Sequence, residues 1–310
     1  MTILLPWNEY VSVTKRYVMQ KAIVRSTVFL ISAGLLSACG GGGGGGGTAT
    51  PFTSIADLPD NGTVIAEGQA QTARLRVNTI TGLADITNVT TDPDSTLRLT
   101  QRNGNASAIA ISAEGASVSI DTRRGGEITN LGPVTTFESD ATNQIAILVV
   151  EGQTTFEHQS LGAWIASPDA GVASIGAGAY GAPTDVANIP RNQNATYNGA
   201  SVGYAKDVAG QFFVTSSNVE VRTDFTTATI SSTETAGENL QSGAVIALPG
   251  LDFNGGGPVA GAGFTAVVSG TDTLGQADGR FHGPNAEEVG GTYNLSGGNG
   301  TVHIGSFGAN

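Results

Sequence analysis

Apolar and polar positions alternate with a period of two along most of this chain, the pattern of strands with one covered and one open face. In TARLRVNT, Leu75 and Val77 point one way while Arg74 and Arg76 point the other. STLRLT repeats the device with Leu97 and Leu99 around Arg98, and ASAIAIS and ASVSID repeat it with Ile109, Ile111, Val118 and Ile120. Turn-forming clusters separate these runs: DPDS at 92–95, RNGN at 102–105 and RRGGE at 123–127. The run QIAILVV, Gln144 to Val150, is apolar throughout, as expected for a strand covered on both faces. No long amphipathic helix interrupts the pattern. These features predict an antiparallel β domain over residues 51–182.

A break follows. APTDVANIPRNQN carries two prolines and no periodicity, which predicts a connection over 183–194. Beyond it stand eight strand candidates: ATYNGASVGYAKD, QFFVTSSNVEVRTDF, TTATISST, GAVIALP, AGFTAVVSG, DGRFHG, GGTYNLS and GTVHIGSFG. Eight short antiparallel strands rich in glycine suit a small closed barrel over 195–310, which leaves no exposed edge; an open sandwich is the alternative. Between the sixth and seventh candidates, GPNAEEVGG predicts a single helical corner turn, with Pro284 at its first position and Glu287 and Glu288 near its positive end as solvated dipole partners. The chain is thus expected to be all-β, an N-terminal antiparallel domain followed by an eight-stranded antiparallel barrel.

Composition agrees: of 310 residues 45 are Gly and only 11 are Phe. No apolar run approaches the about 20 residues that a membrane-spanning helix needs. The N-terminus changes the picture more. MQKAIVRSTVFLISAGLLSAC, Met19 to Cys39, has the basic, then apolar, then small-residue order of an export signal over residues 1–38, and translation is expected to begin at Met19. Leu36-Ser37-Ala38-Cys39 resembles a bacterial lipobox, which marks Cys39, the only cysteine, for lipid attachment. Gly40 to Gly47 then form a flexible tether within 39–50. Each buried acyl methylene contributes about 0.8 kcal/mol, so the three chains of a lipoprotein cysteine anchor firmly. Residue 40 is Gly rather than Asp, which resembles lipoproteins sorted to the outer membrane. Losing the signal removes four Lys/Arg and one Glu and leaves 10 basic and 25 acidic residues, net −15. That balance argues against nucleic-acid partners.

Candidate chemistry is sparse. Gly199 to Gly203 fits G-x-S-x-G around Ser201, but a nucleophile elbow needs a strand-to-helix turn, and here the pattern lies in an alternating strand. Gly176 to Gly181 fits G-x-G-x-x-G without a following helix and reads as a flexible turn. Asp57/Asp60 and Asp92/Asp94 lack calcium-loop spacing and read as turn chemistry. His282 and His303, on the sixth and eighth barrel strands, either face one another or point oppositely; they are the candidate ligand-binding side chains, set against the commoner role of polar wall residue. His158 has no acidic partner at ligand spacing. No catalytic residue, metal site or required cofactor is predicted.

FHGPNAEEVGGTYNLSG with HIGSFGA resembles the C-terminal barrel of the transferrin-binding protein B-like lipoproteins, a group that includes factor H binding protein. IPRNQNATYNGASVGY resembles that family's entry into the barrel, and FEHQSLGAWI with GAGAYGAPT resembles the close of its preceding handle domain. The resemblance implies one handle-plus-barrel lobe tethered to the outer membrane and displayed at the cell surface. It implies a non-catalytic protein that binds a host or environmental macromolecule or haem, with an outer-membrane transporter as a further partner. Full transferrin-binding receptors have two such lobes, and this chain has length for one. The alternatives from the residues alone are a structural or protective surface lipoprotein without a soluble ligand, and a hydrolase using Ser201.

Overall fold

The structure, a computed structural model, describes residues 49–310 except 79, 132–133, 150–155 and 170. The predicted signal, Cys39 and the glycine tether lie outside the described residues. The first sheet holds β1 (Thr50–Pro51), β2 (Gly62–Val77), β3 (Ala84–Arg102), β4 (Asn105–Ser112), β5 (Val118–Asp121), β6 (Glu127–Leu131), β7 (Val134–Ser139), β8 (Gln144–Val149), β9 (Gln159–Asp169) and β10 (Val172–Gly181). Its order is β5-β4-β3-β2-β10-β9-β8-β7-β6, antiparallel apart from β1, which lies parallel to β2. β5 and β6 are consecutive in the chain yet occupy opposite edges. The sheet therefore curls until β5 lies against β7, β8 and β9. The curl encloses a core of Leu97, Leu99, Ile109, Ile111, Val118, Ile120, Phe137, Leu148, Trp164 and Tyr180.

The second sheet holds β11 (Ala195–Lys206), β12 (Phe212–Thr223), β13 (Thr227–Asn239), β14 (Val245–Ala247), β15 (Phe253–Ala260), β16 (Gly263–Gly270), β17 (Thr273–His282), β18 (Glu288–Ser296) and β19 (Val302–Ala309). Eight of them close a ring, β12-β11-β19-β18-β17-β16-β15-β13, with β13 returning to β12. All the pairings are antiparallel. The fold is all-β, a curled handle sheet followed by a closed eight-stranded barrel.

Period-two alternation explains how the two sheets join. In β8, Ala146 and Leu148 enter the handle core while Ile147 and Val149 face the barrel. Leu161, Ala163 and Ile175 face the barrel from β9 and β10. There they meet Val202, Tyr204, Phe212, Val214 and Ile304, and Tyr204 stacks on Phe212 at 5.7 Å. A strand between two cores has no solvent face, which is why QIAILVV reads as unbroken apolar sequence.

Three expectations are corrected. GAGAYG is not a turn but the buried end of β10: a Cβ on Gly176 would lie 2.3 Å from the Trp164 ring, so the glycines make room for aromatic side chains of the handle core. GAVIALP supplies only the short exposed strand β14. The barrel stave is FNGGGPVA, β15, where a Cβ on Gly255 or Gly257 would fall 2.0 Å and 1.9 Å from the carbonyls of Val267 and Thr265. Residues 283–286 form a hydrogen-bonded turn, with Gly283 and Ala286 at φ 86° and 60°, so no helical turn forms there.

Candidate functional site

Three places concentrate polar or exposed chemistry: the barrel interior, the joint between the sheets, and the end of the molecule where loops of both sheets meet.

Inside the barrel, β11, β12, β13, β18 and β19 turn small polar residues inward as a connected set. Ser201 and Ser232 bond the Ser217 hydroxyl at 2.6 Å and 2.7 Å. Ser201 also reaches Tyr293 Oη at 3.3 Å, and Tyr293 and Thr215 both bond His303 Nε2, at 3.1 Å and 3.2 Å. Phe253 lies 4.8 Å from the Tyr293 ring, and Phe264, Phe281, Phe307 and Leu295 fill the rest of this interior. Burial holds the His303 imidazole far below its usual 6.5, at about 3, so it stays neutral. Ser201 is buried mid-strand with its hydroxyl already bonded, a geometry without the exposed turn that a nucleophile elbow supplies.

The joint is built around the turn 283–287. Tyr197 Oη donates to Ala286 O at 2.6 Å and seats the turn on the barrel end. Thr184 N donates to Phe281 O and Gly283 N to Ala182 O, which ties the incoming chain to β17. Glu288, expected as a solvated acid, is instead buried. Its carboxylate accepts the backbone N–H of Glu157 and of His158 from the handle. Burial raises its pKa, and those two N–H groups oppose the rise. Gln159 Nε2 adds bonds to the carbonyls of Val289 at 3.1 Å and Ala309 at 3.3 Å. His282 is enclosed here too, where a Cβ on Gly181 would meet its Nδ1 at 2.6 Å. Burial, aided by the Arg280 charge, holds His282 at about 3.

The structure therefore does not bring His282 and His303 together. His282 pairs with Glu288 at one end of β18, and His303 pairs with Leu295 seven residues along it. At about 3.3 Å per residue the two lie roughly 23 Å apart, one outside the barrel wall and one inside it. Among the described residues no group of three His, Cys, Asp or Glu side chains could hold a metal ion.

The third place was not legible as a site in the sequence. The β2–β3 hairpin tip reaches the barrel where the β11–β12 turn lies: Ala84 N donates to Gly210 O at 2.8 Å, and Gly210 sits against the Leu83 side chain. Gly82 rests on the Gln241 side chain, and Lys206 pairs with Asp85 at 3.4 Å. Both turns are internally tied. Asn78 Oδ1 accepts from Ile80 N and Thr81 N, and Asp207 Oδ1 accepts from Gln211 N. On these turns Ile80 is 93% exposed and Val208 70%, with Leu83 exposed beside them. β-branched apolar residues inside turn sequences, NTITGL and DVAG, were the available signal, because burial could not be what placed them there.

Residues 189–310 match the family of C-lobe and N-lobe beta barrels of Tf-binding protein B. A solved single-site mutant of transferrin binding protein B from Haemophilus parasuis is 11% identical over 81% of this chain and 76% of that one, with a TM-score of 0.45. The isotype 1 protein from Neisseria meningitidis is 13% identical over 71% and 52%, with a TM-score of 0.41. Comparison with curated proteins returns no match.

Proposed function

We propose that this chain is an outer-membrane, surface-displayed lipoprotein that captures a ligand without catalysis. The observation that carries the reading is the match of residues 189–310 to that barrel family. The lipobox at Cys39 and the glycines 40–47 support anchoring through a flexible tether. Mechanism here is presentation: the lipid holds the chain, the tether frees it, and a rigid two-sheet body offers the loop end bearing Ile80, Leu83 and Val208. Exposed apolar side chains on ordered turns at a junction of two sheets suit a macromolecular partner, a host or environmental protein such as a transferrin. Haem is the weaker alternative, because His282 and His303 are separately buried and would have to leave packed surroundings to reach iron. An outer-membrane transporter would receive the cargo.

Native mass spectrometry of the full lipoprotein, extracted in mild detergent from its own outer membrane, tests this reading. The expected spectrum shows acylation at Cys39 and either a co-purifying protein or retention of an added candidate, from transferrin, haemoglobin or haem. An unacylated chain contradicts the anchor. An acylated monomer that retains none of the added candidates favours a structural envelope role instead.

A further inference from the structure

The run GAVIALP, expected as a barrel stave, is in the structure a short strand with one bare side. β14 pairs with β13 through Val245↔Glu238, Ile246↔Gly237 and Ala247↔Ala236. The flanking bonds, Leu248 N to Thr235 O and Asn239 N to Ala244 O, fix the phase of the ladder. Ile246 is the hydrogen-bonded residue, and its N–H and C=O face β13. The N–H and C=O of Val245 and Ala247 face the opposite way, where no strand pairs with them among the described residues. Residues 244–247 are exposed, Val245 and Ile246 by 41% and 42%. Natural sheets blunt such edges by keeping them very short, or with lysine, proline, a bulge or an inward charge. β14 is short, three residues, and Pro249 lies just past it, but Gly243 to Leu248 carry no proline and no charge, and the barrel closes without using this edge.

We infer that a second copy of this chain pairs with it, β14 against β14, antiparallel about a two-fold axis at Ile246. The edge is its own complement. The N–H of Val245 meets the C=O of the partner's Ala247, the N–H of Ala247 meets the C=O of the partner's Val245, and the two-fold repeats both bonds. Ile246 stands opposite the partner's Ile246 in a non-hydrogen-bonded pair, with Cα atoms about 4.5 Å apart. Charge favours this patch over the rest of the surface. The chain carries net −12, so two copies repel generally, while the edge from 243 to 248 is uncharged. Within the chain, the turn preceding β14 carries Gln241 against Gly82 of the handle, so the edge lies beside the contact between the two sheets. It adjoins Ile80, Leu83 and Val208 without including them. So short an edge gives weak association in free solution. On a membrane, where the proposed anchor holds chains side by side, effective concentrations reach about the millimolar range and the pairing becomes populated.

Disulfide trapping tests the register without the anchor. In the full chain carrying Cys39→Ser, held at about millimolar concentration to match the membrane surface, Ile246→Cys places the new thiols within disulfide reach across the two-fold. Mild oxidation is expected to give roughly ten-fold more covalent dimer than Leu274→Cys, an exposed control on the far wall of the barrel. Val245→Pro with Ala247→Pro removes the outward N–H groups and leaves the Ile246 bonds to β13, so it should abolish that excess at unchanged melting temperature. If the prolines disturb melting, Val245→Glu with Ala247→Glu gives the same reading through repulsion. Equal trapping at 246 and 274, no trapping at 246, or trapping indifferent to both double variants would overturn the pairing; a foreign strand on this edge would give the second result. Because the anchor residue is absent from these chains, failure here leaves the lipoprotein reading to its own test.

Discussion

Two histidines govern how this protein should respond to acid. His282 and His303 are held neutral, each at about 3 in the folded chain against 6.5 when unfolded. Below 6.5 the unfolded chain takes up protons that the folded chain refuses, so stability present at neutral pH is lost as pH falls from 6.5 toward 3. Each histidine costs about 1.4 kcal/mol per pH unit in that window, and both together about 3 kcal/mol between pH 7.5 and 5.5. Glu288, whose pKa is raised, acts in the opposite sense and recovers stability as it protonates. Urea unfolding at the two pH values of wild type, His282→Gln and His303→Gln checks this: each variant should lose roughly half of the pH dependence. A wild type equally stable at both values would contradict it. The residues carrying the effect were visible in the sequence, but their burial was not. A lone His on an alternating strand gives no sign whether the face it occupies meets solvent, a barrel interior or a second sheet. Trp164 is a similar case. Its ring lies fully buried over Gly176 and its Nε1 donates to Ala116 O at 2.8 Å. Trp164→Ala should cost about 3–5 kcal/mol in the same assay.

Elements were legible where side chains announced them. The strands carrying Leu75, Leu97, Ile109 and Val118 lie where alternation put them, because each inward position bears a branched apolar group. β15 escaped notice because its sequence offers three consecutive glycines, chosen for the close approach of neighbouring backbones and bearing no hydropathy signal. The apolar run beside it, GAVIALP, has the hydropathy of a barrel stave but is exposed. The two strands should accordingly differ under substitution. Gly257→Val pushes a side chain into the Thr265 carbonyl and should prevent closure of the barrel, leaving little soluble folded protein. Val245→Thr, on an exposed edge, should change stability by less than about 0.5 kcal/mol. The turn 283–287 teaches the same lesson. Its acidic pair looked like dipole partners, yet Glu288 reaches across to the handle and satisfies two backbone donors. Glu288→Ala strands those donors in the joint and should cost about 2–3 kcal/mol by denaturation.

At the scale of the molecule, the two sheets share one apolar seam, and the long hairpin of β2 and β3 carries its tip beyond the handle to the barrel loops. The sequence could predict two β units in series. It could not predict that their loops meet, since contact between positions 82 and 241 leaves no local trace in either segment. That meeting makes the proposed capture face a joint product of both sheets, with Ile80 and Leu83 from one and Val208 from the other. The central claim is that this face binds a macromolecule. Its most direct test is quantitative capture from vertebrate serum, and from the source organism's spent medium, by the full acylated chain and by an Ile80→Asp, Val208→Asp double variant of equal melting temperature. The account predicts one saturable protein retained by the wild type and reduced at least about ten-fold by the variant, a loss of about 1.4 kcal/mol or more. Retention that the variant leaves unchanged, or no saturable retention by the wild type, would contradict it.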